Sequence, residues 1–362
     1  MEGNPAHDRR PVPVINGRSM DSLTHILFGA TLAQTGFRRR LGRRAILASI
    51  VLSSLPDLDV AAGWIDGRFA EWEHHRGFTH SLLFAPVVGP LIGWGIARAE
   101  RWRGRRPPGD AVGDDRLRCW VWLSFLALLS HPLLDVFTSY GTQLLWPLTT
   151  ARFAVDAVAI IDPAYSLLPL TIALVIGAKW PSAAKRAALS VFAFMALYLV
   201  FAWQLNERIV GIAAADFGRP AEVTAYPLLL QPYYRRVVAL TPEAAHVGYY
   251  SLLSPKPITW KAYPRENGVA IEAVRRTREA ALFEWFSMDM ALWRAVPDDN
   301  GARVEATDLR YGMLGPTDAG QWGIRARVDG ANTVSGTLQA FSVPRDASGA
   351  ALRRYWADIT GW

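Results

Sequence analysis

Residues 117–138 read LRCWVWLSFLALLSHPLLDVFT. The stretch is apolar and long enough to cross a bilayer as a helix, which takes about 20 residues. It nevertheless carries His131 and Asp135. Residues i and i+4 share one helical face, so this imidazole and carboxylate point the same way. They can bind one ion, or form a hydrogen-bonded pair that ties two helices together. Ionisable groups at membrane depth are expensive and mark a functional site by default, which favours the ion.

Five more apolar segments flank this one, at roughly 22–37, 43–62, 79–99, 163–178 and 186–206. The first and the fourth of these are short and have a buried or re-entrant helix as their alternative. Lys and Arg alternate between the connecting loops. Arg38, Arg39, Arg40, Arg43 and Arg44 follow the first segment. A run from Arg98 to Arg118 follows the 79–99 segment, and Lys179, Lys185 and Arg186 follow the 163–178 segment. The loops at 63–78 and 139–162 are poorer in basic residues. By the positive-inside rule the basic loops are cytoplasmic and the others lie outside.

The chain has 362 residues, 51% hydrophobic, with a net charge of +7 and a mean hydropathy of +0.11. The positive charge sits in loops between apolar runs, so nucleic-acid binding is not expected. The single cysteine, Cys119, excludes an internal disulfide and a thiolate metal cluster and reads as a small core residue. Any metal must be held by His and carboxylate.

The expected architecture is an α-helical multi-pass membrane domain of about six helices over residues 20–206, followed by a soluble α+β or mostly-β domain over 207–362. Residues 1–19 are polar and Pro-rich, without the apolar core of a signal peptide. They read as a disordered or mis-called extension, with Met20 as the natural start. After 206, strand-like runs occur at Arg235–Leu240, Val247–Leu253, Ile258–Tyr263, Arg303–Tyr311, Trp322–Val328 and Thr333–Val343. A helical pattern covers Val269–Phe286. His246 is the one histidine there.

The remaining ligand-type residues gather at the outer ends of the apolar segments. His25 lies in the first turn of the first segment, as a ligand or an interfacial histidine. Asp57 and Asp59 follow Pro56. They do not share a helical face, so both reach one centre only if the chain leaves the helix there; otherwise they are turn formers. His75 and His80 bracket Arg-Gly-Phe-Thr. Gly77 permits a turn that lets the two imidazoles converge, with Arg76 available to a phosphate or a carboxylate. The alternative is a solvated loop. Asp162 before Pro163 reads as a helix cap, and with Asp156 as a candidate outer group. On the six-span topology His25, Asp57, Asp59, His75, His80 and Asp135 all face one side, with His131 one turn deeper. The candidate metal ligands are therefore His25, Asp57, Asp59, His75, His80, His131 and Asp135, and the candidate catalytic residues Asp57, Asp59 and Arg76.

Met20-Asp21-x-x-Thr24-His25, Pro56-Asp57-x-Asp59, His75-Arg76-Gly77-Phe78-Thr79-His80-Ser81 and Ser130-His131-x-x-x-Asp135, followed by Gly141 and Leu144-Leu145-Trp146-Pro147, resemble the YdjM-like membrane-bound metal-dependent hydrolases of bacterial inner membranes. The match covers roughly residues 20–165. It implies a multi-pass inner-membrane protein with a metal-dependent hydrolase activity. The order Asp, His, then a His-x-x-x-Asp helix is also similar to zinc-dependent phospholipase C and P1-type nucleases. That similarity implies zinc on Asp57 or Asp59, His75 or His80, His131 and Asp135. The further His-x-x-x-Glu helix and N-terminal Trp of those enzymes are missing, which argues for one or two ions. The reading that results is a hydrolase using Zn, or Mn, on a phosphoester or phosphodiester of a lipid or envelope substrate, with membrane lipids as partner and the C-terminal domain periplasmic. The competing classes are an ion or proton-coupled transporter and a non-catalytic metal-stabilised envelope scaffold. Oligomeric state is not read from these residues.

Overall fold

The computed structural model describes residues 18–104, 113–218, 221–312, 319–343, 346 and 348–362. The expectation for residues 1–19 lies almost wholly outside them. The helical part runs α1 (Arg18–Gln34), α2 (Phe37–Leu41), α3 (Arg44–Ser54), α4 (Ala61–His74), α5 (Phe84–Trp102), α6 (Gly113–Asp135), α7 (Leu168–Lys179) and α8 (Ala184–Ala214). A 3-10 turn at Pro56–Val60 joins α3 to α4, and a second at Phe78–His80 precedes α5. A π-helical turn at Pro163–Leu167 leads into α7.

Among the described residues, three stretches are long and apolar enough to cross a membrane: Arg44–His74, Asp115–Asp135 and Ala184–Ala214. Pro163–Lys179 is shorter, and α5 carries Arg98, Glu100 and Arg101 near its end. The lipid-compatible surface is visible in exposed side chains such as Leu47, Val51, Leu91, Ile172, Leu197 and Val200.

Packing inside the bundle relies on small residues. A Cβ on Gly89 or Gly93 of α5 would come within 2.7 and 2.6 Å of Phe125 Cα and Val121 Cα of α6. This Gly-x-x-x-Gly spacing lets two backbones approach where lipid supplies no hydrophobic drive. Gly29 of α1 meets Ser49 and Ser53 of α3 in the same way.

The stretch 63–78, expected as a loop, is mostly helix α4. Its apolar residues have no stripe to fill within the bundle. Trp72 instead stacks on Phe286, 5.1 Å between ring centres, in a core shared with the C-terminal domain. Likewise α8 runs past residue 206 to Ala214. Its Ile209 and Ala213 pack against Ala225, Val237 and Tyr250.

The C-terminal region holds two four-stranded antiparallel meanders. One is β1 (Glu222–Pro227), β2 (Tyr234–Leu240), β3 (Ala244–Ser251) and β4 (Lys261–Pro264); the other is β5 (Ala291–Asp298), β6 (Gly301–Asp308), β7 (Trp322–Asp329) and β8 (Val334–Ser342). The six expected strand runs each overlap a strand, although of Ile258–Tyr263 only residues 261–263 are strand; β1 and β5 were not expected. The helical pattern at 269–286 is two helices, α9 (Val269–Arg275) and α10 (Arg278–Phe286), because Thr277 interrupts it and caps α10 through Ala280 N–H. A last helix, α11 (Gly349–Thr360), follows β8. His246 lies against the Phe217 ring.

Candidate metal centre

The centre is assembled from four chain segments. α1 supplies His25, the Pro56–Val60 turn supplies Asp57 and Asp59, the 75–80 turn supplies His75, Arg76 and His80, and the end of α6 supplies His131 and Asp135. Two groups have ligand atoms all within 4.8 Å of one another: His25, Asp57 and His131, and His80, His131 and Asp135. His131 is common to both, so they are two halves of one cluster.

His131 decides how the cluster is read. Its Nδ1 lies 2.6 Å from the Ser53 carbonyl oxygen, which can only accept, so Nδ1 carries a proton, and in the neutral ring Nε2 presents a lone pair. That Nε2 sits 3.2 Å from Asp57 Oδ1 and 3.4 Å from Asp135 Oδ2. Acceptors facing acceptors repel unless a cation, a second proton or a metal ion, lies between them. The His25 ring stacks on His131 at 3.6 Å, with its Nε2 3.2 Å from Asp135 Oδ1.

His80 is fully buried. Its Nδ1 faces Asp59 Oδ2 at 3.1 Å and the Thr79 hydroxyl at 3.0 Å, which directs Nε2 into the cluster. His80 Nε2 comes within 3.2 Å of Asp135 Oδ2 as an ion-pair contact, and neither atom completes a hydrogen bond among the described residues. A tetrahedral ion with bonds of about 2.0 Å has ligand-to-ligand edges of about 3.3 Å. The separations of 3.2 and 3.4 Å from Asp135 Oδ2 to His80 and His131 match that edge. The orphaned buried atoms and the donor set both fit a divalent cation.

Asp59 and His75 lie outside both groups. Asp59 Oδ1 is 2.7 Å from His75 Nδ1. Its Oδ2 accepts from Thr79 Oγ1 at 2.7 Å and from the Arg76 backbone N–H at 3.1 Å. The two Asp residues diverge because the chain enters a 3-10 turn at Pro56: Asp57 turns to the cluster and Asp59 to the imidazoles behind it. Carboxylates that orient a ligating imidazole are characteristic of metal sites.

Arg76 is buried, 3.4 Å from Asp135 Oδ1 through Nη2 and 2.8 Å from Thr138 Oγ1 through Nη1. It steadies a carboxylate of the cluster. Arg76, not Gly77, adopts the left-handed conformation of the turn (φ 62). Gly77 is needed because a Cβ there would come within 2.8 Å of the His74 carbonyl oxygen. Asp162 accepts from the Ala164 and Tyr165 N–H groups, the capping role read from its neighbour Pro163, and from Tyr198 at 2.8 Å. Asp156 is half-buried and lies beside Arg235, outside both groups.

Sequence reasoning missed three supports. The Ser53 carbonyl has no side-chain signal. Thr138 lies one turn beyond Asp135. Tyr140 places its ring 4.9 Å from the Arg76 guanidinium and 5.3 Å from the His75 ring, and an aromatic in a loop is unremarkable without the fold.

Curated proteins match parts of this chain. The inner membrane protein YbcI of Escherichia coli is 40% identical over 112 residues, 30% of this chain and 57% of that protein. YfhP of Bacillus subtilis is 27% identical over 154 residues, 40% of this chain and 42% of that protein. The inner membrane protein YdjM of Escherichia coli is 34% identical over 107 residues, 28% of this chain and 47% of that protein. The chain thus spans about half the length of these relatives. No solved structure matches it significantly. The family model described as YdjM inner membrane protein matches residues 20–209, more than half of the 362 residues and every segment that builds the cluster, and the chain belongs to that family.

Proposed function

We propose that the protein is a membrane-bound, metal-dependent hydrolase. Its centre holds one or two divalent ions, Zn or alternatively Mn, on His25, Asp57, His80, His131 and Asp135. The observation that carries this reading is His131 Nε2 facing the Asp57 and Asp135 carboxylates at 3.2 and 3.4 Å while Nδ1 is committed to Ser53. In this reading the chain crosses the inner membrane about six times, as the alternating basic loops require, with the centre at the outer surface and residues after Ala214 in the periplasm. The substrate is a phosphoester or phosphodiester of a lipid or envelope component, the class that meets such a site.

A bound ion of this kind lowers the pKa of water to near neutrality and polarises a substrate oxygen. The chain's own residues supply the rest. Ser53 and Asp59 hold His131 and His80 with Nε2 inward, and Arg76 fixes Asp135. Asp57 is the most open of the five, its side chain 19% exposed, and accepts from Ser22 Oγ at 3.4 Å. It would act as the base for the attacking water where it does not itself hold the ion.

Elemental analysis of the full-length protein in detergent, wild type beside a His80→Ala/Asp135→Ala double variant, tests the reading. About one or two ions per chain in the wild type and none in the variant is the expected result. A folded wild type without stoichiometric metal would overturn it.

A further inference from the structure

Charged residues of three helices meet at the end of the bundle away from the cluster. Arg44 Nη1 lies 3.4 Å from Glu100 Oε1, and Arg116 Nε lies 3.0 Å from Glu100 Oε2. Such charge is costly inside hydrocarbon. On the membrane topology proposed above, the group therefore marks the edge of the apolar layer on the side of the basic loops. That layer is about 30 Å thick. At about 1.5 Å per residue, α3 and the turn after it carry Asp57 about 20 Å from Arg44, and α6 carries His131 about 23 Å and Asp135 about 28 Å from Arg116. Helix tilt only shortens these heights. The ligand residues then lie within the outer leaflet rather than in the water beyond it.

The exposed apolar faces of the helices run on into the cluster. α3 exposes Leu47 and Val51, and α5 exposes Val87 and Leu91. The two ligand turns prolong these faces: Leu58, between Asp57 and Asp59, is 69% exposed, and Phe78, two residues before His80, is 52% exposed. The turns lie side by side, the Thr79 hydroxyl donating to the Pro56 carbonyl at 3.1 Å. Trp64, of a residue type that favours the membrane–water boundary, is exposed further along α4.

Toward the C-terminal domain the cluster is covered. Tyr140 lies against Arg76 and His75 and packs on Phe286, and its carbonyl accepts from Arg310. The side chains of His25, His80, His131 and Asp135 are at most 1% exposed, whereas Asp57 and His75 keep 19 and 16%. The open edge is thus on the turns that carry Leu58 and Phe78.

We propose that the centre opens sideways into the outer leaflet, and that the group entering between Leu58 and Phe78 is the head group of a bilayer lipid whose chains stay in that leaflet. The proposal rests on the membrane placement of the proposed function and narrows its substrate to a lipid; it needs no ion in the centre. The apolar rim suits acyl chains, and the carboxylate behind it sits where a head group arrives.

The test uses full-length protein in vesicles of phosphatidylethanolamine and phosphatidylglycerol. A nitroxide is attached to Leu58→Cys and Phe78→Cys, with Val51→Cys as the lipid reference and Asn300→Cys as the water reference; the native Cys119 is buried. Oxygen concentrates in the bilayer and a nickel chelate stays in water. The oxygen-to-chelate collision ratio at Leu58→Cys and Phe78→Cys is expected to be severalfold above that at Asn300→Cys and close to that at Val51→Cys. A ratio equal to that at Asn300→Cys puts the edge in water and overturns the proposal. Exclusion of both reagents means that protein covers the edge, and overturns it too. Because these variants flank the ligands, a phospholipid with a diazirine high on its acyl chain is also photolysed with the wild type. Labelled peptides are expected to include residues 57–65 and 78–83; labelling confined to other helices overturns the opening. Metal content of the same wild-type samples is read separately. An empty centre with a lipid-exposed edge removes the metal reading and leaves the opening; a loaded centre with a water-exposed edge does the reverse.

Discussion

His131 is the one residue common to both ligand groups, and this makes unequal predictions for residues of the same type. His131→Ala is expected to empty the centre at any accessible metal concentration. Asp59→Asn is expected to keep full stoichiometry at saturation with an affinity about 10–100-fold lower, the usual cost of losing an orienting partner. Metal titration followed by elemental analysis separates the two; complete loss of metal in Asp59→Asn would make Asp59 a ligand. The residues themselves were legible because His and Asp stand out in apolar segments. Their division into the two compact groups and the residues behind them was not. Asp57 and Asp59 look alike in sequence, and only the 3-10 turn after Pro56 sends them to different partners. Gly77 invited a turn, yet the left-handed residue is Arg76, held by its contacts to Asp135 and Thr138.

The elements that bring these residues together depend on close helix contact. α5 follows the turn that carries His80, and α6 carries His131 and Asp135. Gly93→Ala would drive a methyl to 2.6 Å from Val121 Cα, so the helices must separate, at a cost of about 1–3 kcal/mol. Gly95→Ala is the matched control. Nothing lies within 4 Å of a Cβ there, and helix propensity alone favours the change by about 1 kcal/mol. Thermal unfolding in detergent should show opposite shifts for the two variants; equal shifts would mean that the α5–α6 contact does not limit stability. The long apolar helices were readable from hydropathy because they bury their surface against lipid and each other. α4 was not, since Phe69 and Trp72 pack on α10, whose Phe283 and Phe286 come two hundred residues later. β1 and β5 were missed for a related reason. Their edges read as ordinary loop sequence until the adjacent strand supplies the register, Glu222 opposite Leu240 and Ala291 opposite Asp308.

At the scale of the molecule, buried arginines bind the two regions together. Arg235 donates to the carbonyls of Asp156, Ala157 and Ala202, and Arg310, paired with Asp308 at 2.7 Å, donates to those of Ser139 and Tyr140. Asp156 sits in this seam. Burial pushes its carboxyl up to about 6, with the Ser139 hydroxyl, Arg310 and Arg235 opposing. A carboxyl whose folded pKa exceeds its unfolded value favours the folded state while protonated. Its contribution is present below about pH 4 and is lost as pH rises through about 6, by roughly 3 kcal/mol for two units. Asp156→Asn should therefore be more stable than wild type at pH 8, with the difference shrinking toward pH 5 in thermal unfolding; a pH-independent difference would show that Asp156 does not titrate there. The same seam links the C-terminal domain to the cluster. Tyr140 touches Arg76 and His75 beside the centre and is also packed on Phe286 at 5.3 Å and gripped by Arg310. On the alternating topology proposed above, the C-terminal domain and the His/Asp cluster lie on one side of the membrane, opposite the arginine-rich loop after α5. The only cysteine, Cys119, is buried, so single exposed cysteines report cleanly. Asn300→Cys, exposed in the turn between β5 and β6, is expected to react with a membrane-impermeant maleimide on spheroplasts. Arg103→Cys, exposed after α5, is expected to react only after permeabilisation. Labelling of both from one side would contradict the alternating topology. The reverse pattern would keep the shared side of domain and cluster but turn both toward the cytoplasm.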